Sequence, residues 1–279
     1  MTNATPTYAY IAGSGRSGST LLDAALGSHP NILSVGEIGR LPASLLDGAK
    51  LSMPDRCACG ASLDACALWG PILTDARRLS LRSISPDQWY AFLLPRLRAF
   101  KPEARVIVDS TNWIRPLRRL LESRVLDDYT LKVVYLTRDA RGVVNSASNR
   151  GFHRGLPTEW YLPVWRAAAG WWVRNHLVLR MFRRLDPTAR LHVTYEQFTA
   201  DPAATLSTIH RFLGVAEQDL VPDWKRLPRH TFAGNWTFRE ADSSDIREDT
   251  KWRHELSPAA TALVELLAGR LNRKLMRGL

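Results

Sequence analysis

The residues best suited to binding phosphate lie near the start of the chain, in the segment SGRSGSTLL that begins at Ser14. Its backbone N–H groups, its hydroxyls and its guanidinium are all potential donors to phosphate oxygens. Two phosphate-binding patterns match the segment in part. The glycines at 13, 15 and 18 fit the dinucleotide pattern, while the nucleoside-triphosphate loop fits except that Ser19 stands where a lysine belongs. The segment therefore predicts a bound phosphate and leaves the ligand open.

Each of these two patterns has a supporting residue farther along the chain. Glu37 lies about where a nicotinamide-binding fold places its acidic ribose ligand, and Asp109 could hold Mg²⁺ for a kinase. The loop hydroxyls and Arg16 favour a terminal phosphate over a bridged pyrophosphate that is approached mainly by backbone. The missing lysine weighs against a kinase, because that lysine neutralises the β and γ phosphates.

A second anion-binding pattern lies about 120 residues downstream, in VVYLTRDARGVVNSASNR. Arg138 follows a predicted strand, and Ser146 and Arg150 come eight and twelve residues later. Residues four apart share one face of a helix, so Ser146 and Arg150 lie together. Guanidinium groups form planar, paired contacts with phosphate oxygens, to which a hydroxyl adds a donor. The two segments together predict a clamp for a ligand that carries two phosphates.

The elements that must position these residues are short apolar strands alternating with helices. The predicted strands span 8–12, 31–35, 105–109, 131–137 and 190–195. Nearly continuous apolar strands of this length indicate an α/β fold with a parallel sheet covered on both faces. The first crossover helix is predicted over Thr20–Leu26, and later helices begin at Asp201–Pro202 and Ser257–Pro258.

The chain resembles the sulfotransferases that use 3′-phosphoadenosine 5′-phosphosulfate (PAPS). SGRSGSTLL resembles their 5′-phosphosulfate loop, and RDARGVVNS resembles their 3′-phosphate signature. The wider run SGRSGSTLLDAALGSHPNILSVGE is similar to the branch that includes bacterial and tyrosylprotein sulfotransferases. The resemblance implies a single P-loop-like three-layer domain over 1–279, with a central parallel sheet of about five strands. Within it we expect an insertion over 40–104, a lid over 225–256 and a C-terminal helix over 257–279.

The resemblance also implies a role for each matching residue. Arg16 would bind the 5′-phosphate and the leaving oxygen, in a cradle formed by Gly15, Ser17, Gly18, Ser19 and Thr20. The 3′-phosphate would contact Arg138, Ser146 and Arg150, with Tyr195 near the nucleotide and Gly234, Asn235 and Arg239 closing over it. Asn112 departs from the pattern, because relatives commonly have a lysine at that place which assists the leaving group. Asn112 donates a hydrogen bond but brings no charge, so either Arg16 acts alone, or another cation such as Arg115 compensates, or turnover is slow.

Glu37 is the candidate general base that removes the proton of an acceptor hydroxyl. It lies at the carboxyl end of the second predicted strand, where parallel sheets place their ligands, and the similar branch uses a glutamate there. A structural ion pair with Arg40 is the alternative role. His29 is a rival base, although a histidine before proline in a tight loop is more often a structural hydrogen-bonding residue.

Composition narrows the class of protein. Lys and Arg outnumber Asp and Glu by 38 to 27, a formal net charge of +11 that attracts anionic ligands. The basic residues are scattered and accompany no nucleic-acid-binding motif, so no nucleic acid partner is predicted. No apolar run reaches the roughly 18 to 20 residues that span a bilayer, and no signal-peptide pattern precedes the first strand. We expect a soluble, cytoplasmic enzyme acting on a small-molecule or polymer hydroxyl.

The cysteines Cys57, Cys59 and Cys66 lie within CACGASLDAC. A structural zinc site normally has four ligands, so these three could bind metal only with a distant fourth. An odd number of cysteines in a chain without a signal peptide favours reduced thiols in a tight turn. The sequence therefore predicts no metal ion.

Two other functions stay open at this point: a Mg²⁺-dependent small-molecule kinase that uses ATP, and a non-catalytic nucleotide-binding protein.

Overall fold

The protein is built around one five-stranded parallel sheet in the computed structural model, which describes residues 5–41, 56–79, 85–152, 161–234 and 245–279. The strands are β1 (Thr7–Gly13), β2 (Ile32–Gly36), β3 (Val106–Asn112), β4 (Thr130–Thr137) and β5 (Arg190–Thr194). Their order across the sheet is β2-β3-β1-β4-β5, and all neighbouring pairs are parallel. The predicted α/β class and the number of strands are confirmed.

Helices connect the strands and complete the chain. They are α1 (Ser19–Leu26), α2 (Trp69–Arg78), α3 (Pro86–Phe100), α4 (Ile114–Glu122), α5 (Ala140–Phe152), α6 (Tyr161–Phe182), α7 (Tyr195–Ala200), α8 (Pro202–Leu213), α9 (Trp252–Glu255) and α10 (Pro258–Met276). Short 3-10 turns occur at Ile38–Arg40, Pro187–Ala189 and Trp224–Arg226. No described helix has the length and apolar character needed to cross a membrane.

Two apolar layers cover the faces of the sheet. Tyr8 and Tyr10 of β1 belong to one buried cluster, whereas Ala9 and Ile11 belong to the other. Successive side chains of a strand point to opposite faces, so one strand supplies both layers. This arrangement is the parallel sheet covered on both faces that the apolar strands predict, and the three-layer fold that the resemblance implies.

The helix borders follow local capping signals. The Asp201 side chain accepts a hydrogen bond from the Ala204 N–H at 2.9 Å, and α8 ends at Gly214, whose φ is 76°. The Ser257 hydroxyl likewise accepts from the Ala260 N–H at 3.2 Å. Each cap satisfies a backbone donor that the first turn leaves unpaired.

Strand β3 is longer than the sequence predicted and ends at Asn112 instead of Asp109. Its last residues are polar because they lie at the carboxyl edge of the sheet and bond to neighbouring segments. The Thr111 hydroxyl, for example, accepts a hydrogen bond from the Gly39 N–H at 2.9 Å. Asn112 has a left-handed backbone with φ 55°, which ends the strand.

The predicted insertion contributes to the same core as the sheet. Trp69 of α2 and Trp89 of α3 are both buried in the cluster that contains Tyr8. Residues 42–55 and 80–84 of the predicted insertion, and 235–244 of the predicted lid, lie outside the described residues. The division of the chain into these segments stays a prediction.

Asp109 is fully buried in strand β3. Its carboxylate accepts hydrogen bonds from the Tyr8 hydroxyl at 2.7 Å, the Tyr90 hydroxyl at 3.2 Å and the Thr111 N–H at 2.8 Å. Burial raises the pKa of Asp109 from 3.8 to about 6, and the hydrogen bonds from Thr111 and Tyr8 offset part of that rise. A carboxylate enclosed in this way has a structural role and cannot reach a nucleotide-bound Mg²⁺.

Asp109→Asn is expected to change how stability depends on pH. The folded state disfavours ionised Asp109, so its stabilising contribution is present at low pH and is lost as pH rises through about 6. The stability of the wild type relative to the variant should fall by up to about 3 kcal/mol between about pH 4 and pH 7. Thermal or urea unfolding across this range measures the difference. Asp64→Asn, at an exposed aspartate, should keep the wild-type pH profile; an equal profile for Asp109→Asn would contradict the assignment.

Candidate active site

The glycine-containing loop connects β1 to α1 at the carboxyl edge of the sheet. Arg16 and Gly18 have left-handed backbone conformations, with φ of 72° and 91°. A Cβ atom on Gly18 would lie 2.6 Å from the Tyr195 ring, so only glycine fits that approach. Because the first N–H groups of α1 have no partner within the helix, this turn directs backbone donors towards an anion.

The hydroxyls of the loop differ in their surroundings. The Ser14 and Ser17 oxygens are buried and have no hydrogen-bond partner among the described residues. The Ser19 oxygen accepts a hydrogen bond from the Asn112 amide at 3.3 Å, and Thr20 is half-buried. Buried hydroxyls are normally paired, so an unpaired Ser17 hydroxyl inside a phosphate-type loop is suited to a ligand oxygen.

Arg138 lies directly against this loop. It follows β4, which pairs with β1 so that Gly13 faces Leu136. The buried guanidinium donates to the Arg16 carbonyl oxygen at 3.3 Å. The structure therefore brings together the two segments predicted to bind anions, which are about 120 residues apart in the sequence.

The side chain of Arg138 has two further partners. Its guanidinium carbon lies 4.4 Å from the centre of the Tyr195 ring, a cation–π contact. The Nη2 atom of the guanidinium also donates to the Asp249 carboxylate at 3.1 Å and to the Asp249 carbonyl at 3.0 Å. The Tyr195 hydroxyl accepts from the Asp249 N–H at 3.0 Å and donates to the Arg247 carbonyl at 3.3 Å. Residues 247–249 of the predicted lid thus cover the guanidinium.

Asp249 is a site residue that the sequence analysis missed. It lies in a polar stretch with several other charged residues, and nothing in its spacing singles it out. Only the folded chain places its carboxylate on Arg138.

The structure describes only some of the remaining residues of the predicted 3′-phosphate site. Ser146 is half-buried on α5. The Arg150 side chain lies outside the described residues, as do Asn235 and Arg239. Gly234 follows Phe232, which pairs with Gly36, so Gly234 is brought to the exit of β2.

Glu37 follows β2 at the same edge of the sheet. Its carboxylate is 12 % exposed and forms an ion pair with Arg40, with a distance of 2.6 Å between Oε2 and Nη1. The Arg40 guanidinium also lies 5.4 Å from the centre of the exposed Trp113 ring. The alternative pairing with Arg40 is therefore present in the structure. Strand β3 separates β2 from β1, which puts Glu37 two strand spacings, about 10 Å, along the edge from the loop.

Asn112 fills the interval between Glu37 and the loop. It ends the intervening strand β3, and its amide reaches Ser19 of the loop. Its Oδ1 atom is buried and has no partner among the described residues. Asn112 thus contacts the glycine-containing loop without bringing a charge, whereas Arg115 is exposed on α4.

His29 has the structural role that its position before proline predicts. Its Nδ1 atom accepts from the Asn31 N–H at 3.0 Å, and Nε2 contacts the Ala216 carbonyl at 3.0 Å. Burial lowers the pKa of His29. Both ring nitrogens are engaged in holding the loop after α1, which leaves Glu37 as the stronger candidate for the base.

Comparison with protein families identifies the class of enzyme. The model described as the Sulfotransferase family matches residues 9–219, which is more than half of the chain. The chain belongs to the sulfotransferase family. The match contains the glycine loop, Glu37, Arg138 and Tyr195. No curated protein matches the chain.

Solved structures share the whole fold of this sulfotransferase at low sequence identity. The sulfotransferase domain of the Synechococcus PCC 7002 olefin synthase has a TM-score of 0.69 and 22% identity over 96% of this chain and 97% of that one. The sulfotransferase domain from the curacin biosynthetic pathway has a TM-score of 0.63 and 22% identity over 95% and 97%. A mouse sulfotransferase complexed with PAP has a TM-score of 0.55 and 13% identity over 98% and 88%. These similarities support the three-layer fold.

Gly18→Ala should destabilise the protein by about 1–3 kcal/mol, because the added Cβ meets the Tyr195 ring and the left-handed backbone becomes strained. Gly15→Ala is the matched control from the same loop, since its added Cβ has no atom within 4 Å. Thermal unfolding of both variants measures the difference. Equal unfolding temperatures would show that the close approach of Tyr195 to the loop does not constrain residue 18.

Proposed function

We propose that this sulfotransferase moves the sulfuryl group of PAPS to a hydroxyl on a small-molecule or polymer acceptor. The observation that carries the proposal is the contact between the Arg138 guanidinium and the Arg16 carbonyl, at 3.3 Å. It joins two anion-binding segments at the exits of neighbouring strands, as a ligand with phosphates on two ribose positions requires. The mouse sulfotransferase of similar fold is complexed with PAP, the bisphosphate product of such a reaction.

The residues of the loop fit the 5′ end of this donor. The buried Ser17 hydroxyl has no partner among the described residues and sits beside the backbone turn that opens α1. Arg16 supplies a cation in the same turn. Together with Gly15, Gly18, Ser19 and Thr20 they provide donors for a 5′-phosphosulfate group.

The Arg138 guanidinium fits the 3′-phosphate, and a carboxylate already holds it. Asp249 supplies an anion at 3.1 Å from the guanidinium, and the ring of Tyr195 lies against the same group. A dianionic phosphate binds a guanidinium more strongly than a partly exposed carboxylate does, because it carries more charge and more acceptor oxygens. Binding of PAPS would therefore replace the Asp249 carboxylate by the 3′-phosphate as the anion on the buried Arg138 guanidinium.

The reaction forms a bond between the acceptor oxygen and sulfur and breaks the bond between sulfur and the bridging oxygen, which leaves with the 5′-phosphate. PAPS supplies the sulfuryl group when bound. Arg16 and the loop N–H groups would stabilise the negative charge that develops on the leaving oxygen, an electrostatic contribution usually worth several kcal/mol. The Asn112 amide adds a neutral donor next to Ser19.

Glu37 would take the proton of the acceptor hydroxyl. The ion pair with Arg40 fixes one carboxylate oxygen and thereby orients the group, so the structural pairing is compatible with a role as base. Arg40 is then a positioning residue. The exposed Trp113 ring beside Arg40 contributes an apolar surface at the acceptor side of the site.

The two rival functions make different demands on these residues. A kinase would use Asp109 to hold Mg²⁺, but this carboxylate is fully buried among Tyr8, Tyr90 and Thr111. A non-catalytic nucleotide-binding protein would bind the bisphosphate without needing Glu37. We expect transfer to proceed without a metal ion at the donor site.

Binding of 3′,5′-adenosine bisphosphate should raise the unfolding temperature more than ATP with Mg²⁺ or NAD does, since a ligand stabilises according to its affinity for the folded state. Arg138→Ala should weaken bisphosphate binding by about 30-fold or more, because a charge-assisted contact of about 2 kcal/mol is lost. Calorimetric titration gives the dissociation constants. Arg124→Ala removes the same charge from an exposed ion pair and is the control.

Asp249→Asn should change the bisphosphate affinity in the opposite direction. Without the competing carboxylate on Arg138, bisphosphate should bind more tightly than to the wild type. Asp245→Asn makes the same charge change in the same segment, at an exposed pair with Arg247, and should have a smaller effect. An Arg138→Ala variant that keeps wild-type bisphosphate affinity would contradict the assignment of the 3′-phosphate site.

Glu37→Gln should lower kcat by about 100- to 10,000-fold while bisphosphate affinity stays unchanged, because only the base is lost. Arg40→Met, which removes the ion-pair partner and keeps the carboxylate, should lower kcat by less than about 10-fold. Transfer of radiolabelled sulfuryl groups from PAPS to a panel of phenols, sugars and aliphatic alcohols is the assay. If kcat falls by the same factor in both variants and their unfolding temperatures fall equally, the pair is structural and Glu37 is not the base.

A further inference from the structure

Three cysteines and one histidine form a cluster that includes none of the residues of the glycine-containing loop. The ligand atoms of Cys57, Cys59, Cys66 and His230 all lie within 4.8 Å of one another. The Cys66 sulfur is 3.2 Å from Nδ1 of His230, and the Cys57 sulfur is 4.0 Å from the same nitrogen. His230 is 164 residues from Cys66 in the chain. It provides the distant fourth ligand that the cysteine spacing alone could not supply.

The distances suit a tetrahedral metal ion. Zinc binds sulfur at about 2.3 Å and imidazole nitrogen at about 2.0 Å, so ligand atoms around it are separated by roughly 3.5–3.8 Å. The observed separations bracket this range. Three thiolates and one imidazole are soft and borderline donors of the kind that select zinc over magnesium or calcium.

The local backbone is shaped to present the sulfur atoms on one side. The Cys57 N–H donates to the Ala61 carbonyl at 2.9 Å, and the Gly60 N–H donates to the Cys57 carbonyl at 3.0 Å. Gly60 has φ 89°, which closes the turn between the first two cysteines and the third. The Trp69 N–H points at the Cys66 sulfur at 3.5 Å, as backbone donors do around metal-bound thiolates.

We propose that Cys57, Cys59, Cys66 and His230 bind one structural zinc ion. Four protein ligands fill a tetrahedral shell, so the site has no open position for water or substrate and is structural instead of catalytic. The prediction of ordinary reduced thiols followed from the odd number of cysteines, the lack of a signal-peptide pattern and a spacing that offers only three local ligands. The proposal rests on the fold, which adds the fourth ligand, and is independent of the donor and the acceptor of the enzyme.

The ion would tie the predicted insertion to residues 229–234, in the first described part of the predicted lid. His230 is next to residues that pair with β2: the Phe232 N–H donates to the Val35 carbonyl at 2.9 Å, and the Glu37 N–H donates to the Phe232 carbonyl at 2.8 Å. The Trp69 indole also donates to the His230 carbonyl at 2.7 Å. Loss of the ion would therefore loosen the segment that supports the backbone of Glu37.

The test is the metal content of the full chain, purified without a histidine tag and without added metal. Elemental analysis should give about one zinc per chain in the wild type and well below half of that in Cys66→Ser and His230→Asn. His254→Asn, at an exposed histidine outside the cluster, is the matched control and should keep its zinc. Chelation should lower the unfolding temperature of the wild type and of the control.

A second measurement uses the wild type alone, in case the variants fail to fold. All three cysteines should be protected from a thiol reagent in the zinc-loaded protein and become reactive after chelation, and Co²⁺ should restore protection with the intense visible bands of tetrahedral thiolate coordination. Zinc-free wild type that takes up no Co²⁺ would overturn the proposal. So would full zinc content in Cys66→Ser and His230→Asn, or a disulfide among these cysteines in place of bound metal.

Discussion

The site depends on one contact between two neighbouring strand exits, the hydrogen bond from the Arg138 guanidinium to the Arg16 carbonyl. Parallel pairing of β1 with β4 aligns Gly13 with Leu136 and so brings the residues after each strand to the same edge. A buried guanidinium is costly unless its donors are paired and its charge is compensated. Here a carbonyl, a carboxylate and an aromatic face compensate it, and they hold the guanidinium in place beside the glycine-containing loop.

Local signals were enough to predict the parts of this site and the meeting of its two predicted anion-binding segments, but not the strand order or the contacts of Asn112 and Asp249. The strands, the helix starting at Ser257 and the two anion-binding segments follow from apolar runs, capping residues and motif spacing. The strand order, with β3 between β2 and β1, sets the interval between Glu37 and the loop, and it depends on pairing between distant segments. The contacts of Asn112 with Ser19 and of Asp249 with Arg138 join residues 93 and 111 apart, so no local pattern encodes them.

The pair formed by Glu37 and Arg40 shows why a structural and a catalytic interpretation need not compete. The ion pair with Arg40 involves Oε2 of Glu37, and a carboxylate has a second oxygen that can accept a proton. A general base must be held in a fixed direction, because proton transfer depends on a short and aligned hydrogen bond to the acceptor. Arg40 provides such a restraint, and its stacking near Trp113 restrains Arg40 in turn.

The two described parts of the predicted lid are attached by different kinds of interaction. Residues 229–234 are fixed by backbone pairing with β2 and lie beside the cysteine cluster, whereas residues 245–249 are fixed by Asp249 on Arg138 and by Tyr195. Backbone pairing offers an anion no charge to compete for, whereas a phosphate can compete with a carboxylate for a guanidinium. Under the proposed function, nucleotide binding would act on the predicted lid from the Arg138 end, while the hydrogen bond to the Phe232 carbonyl holds the backbone of Glu37 at the β2 end.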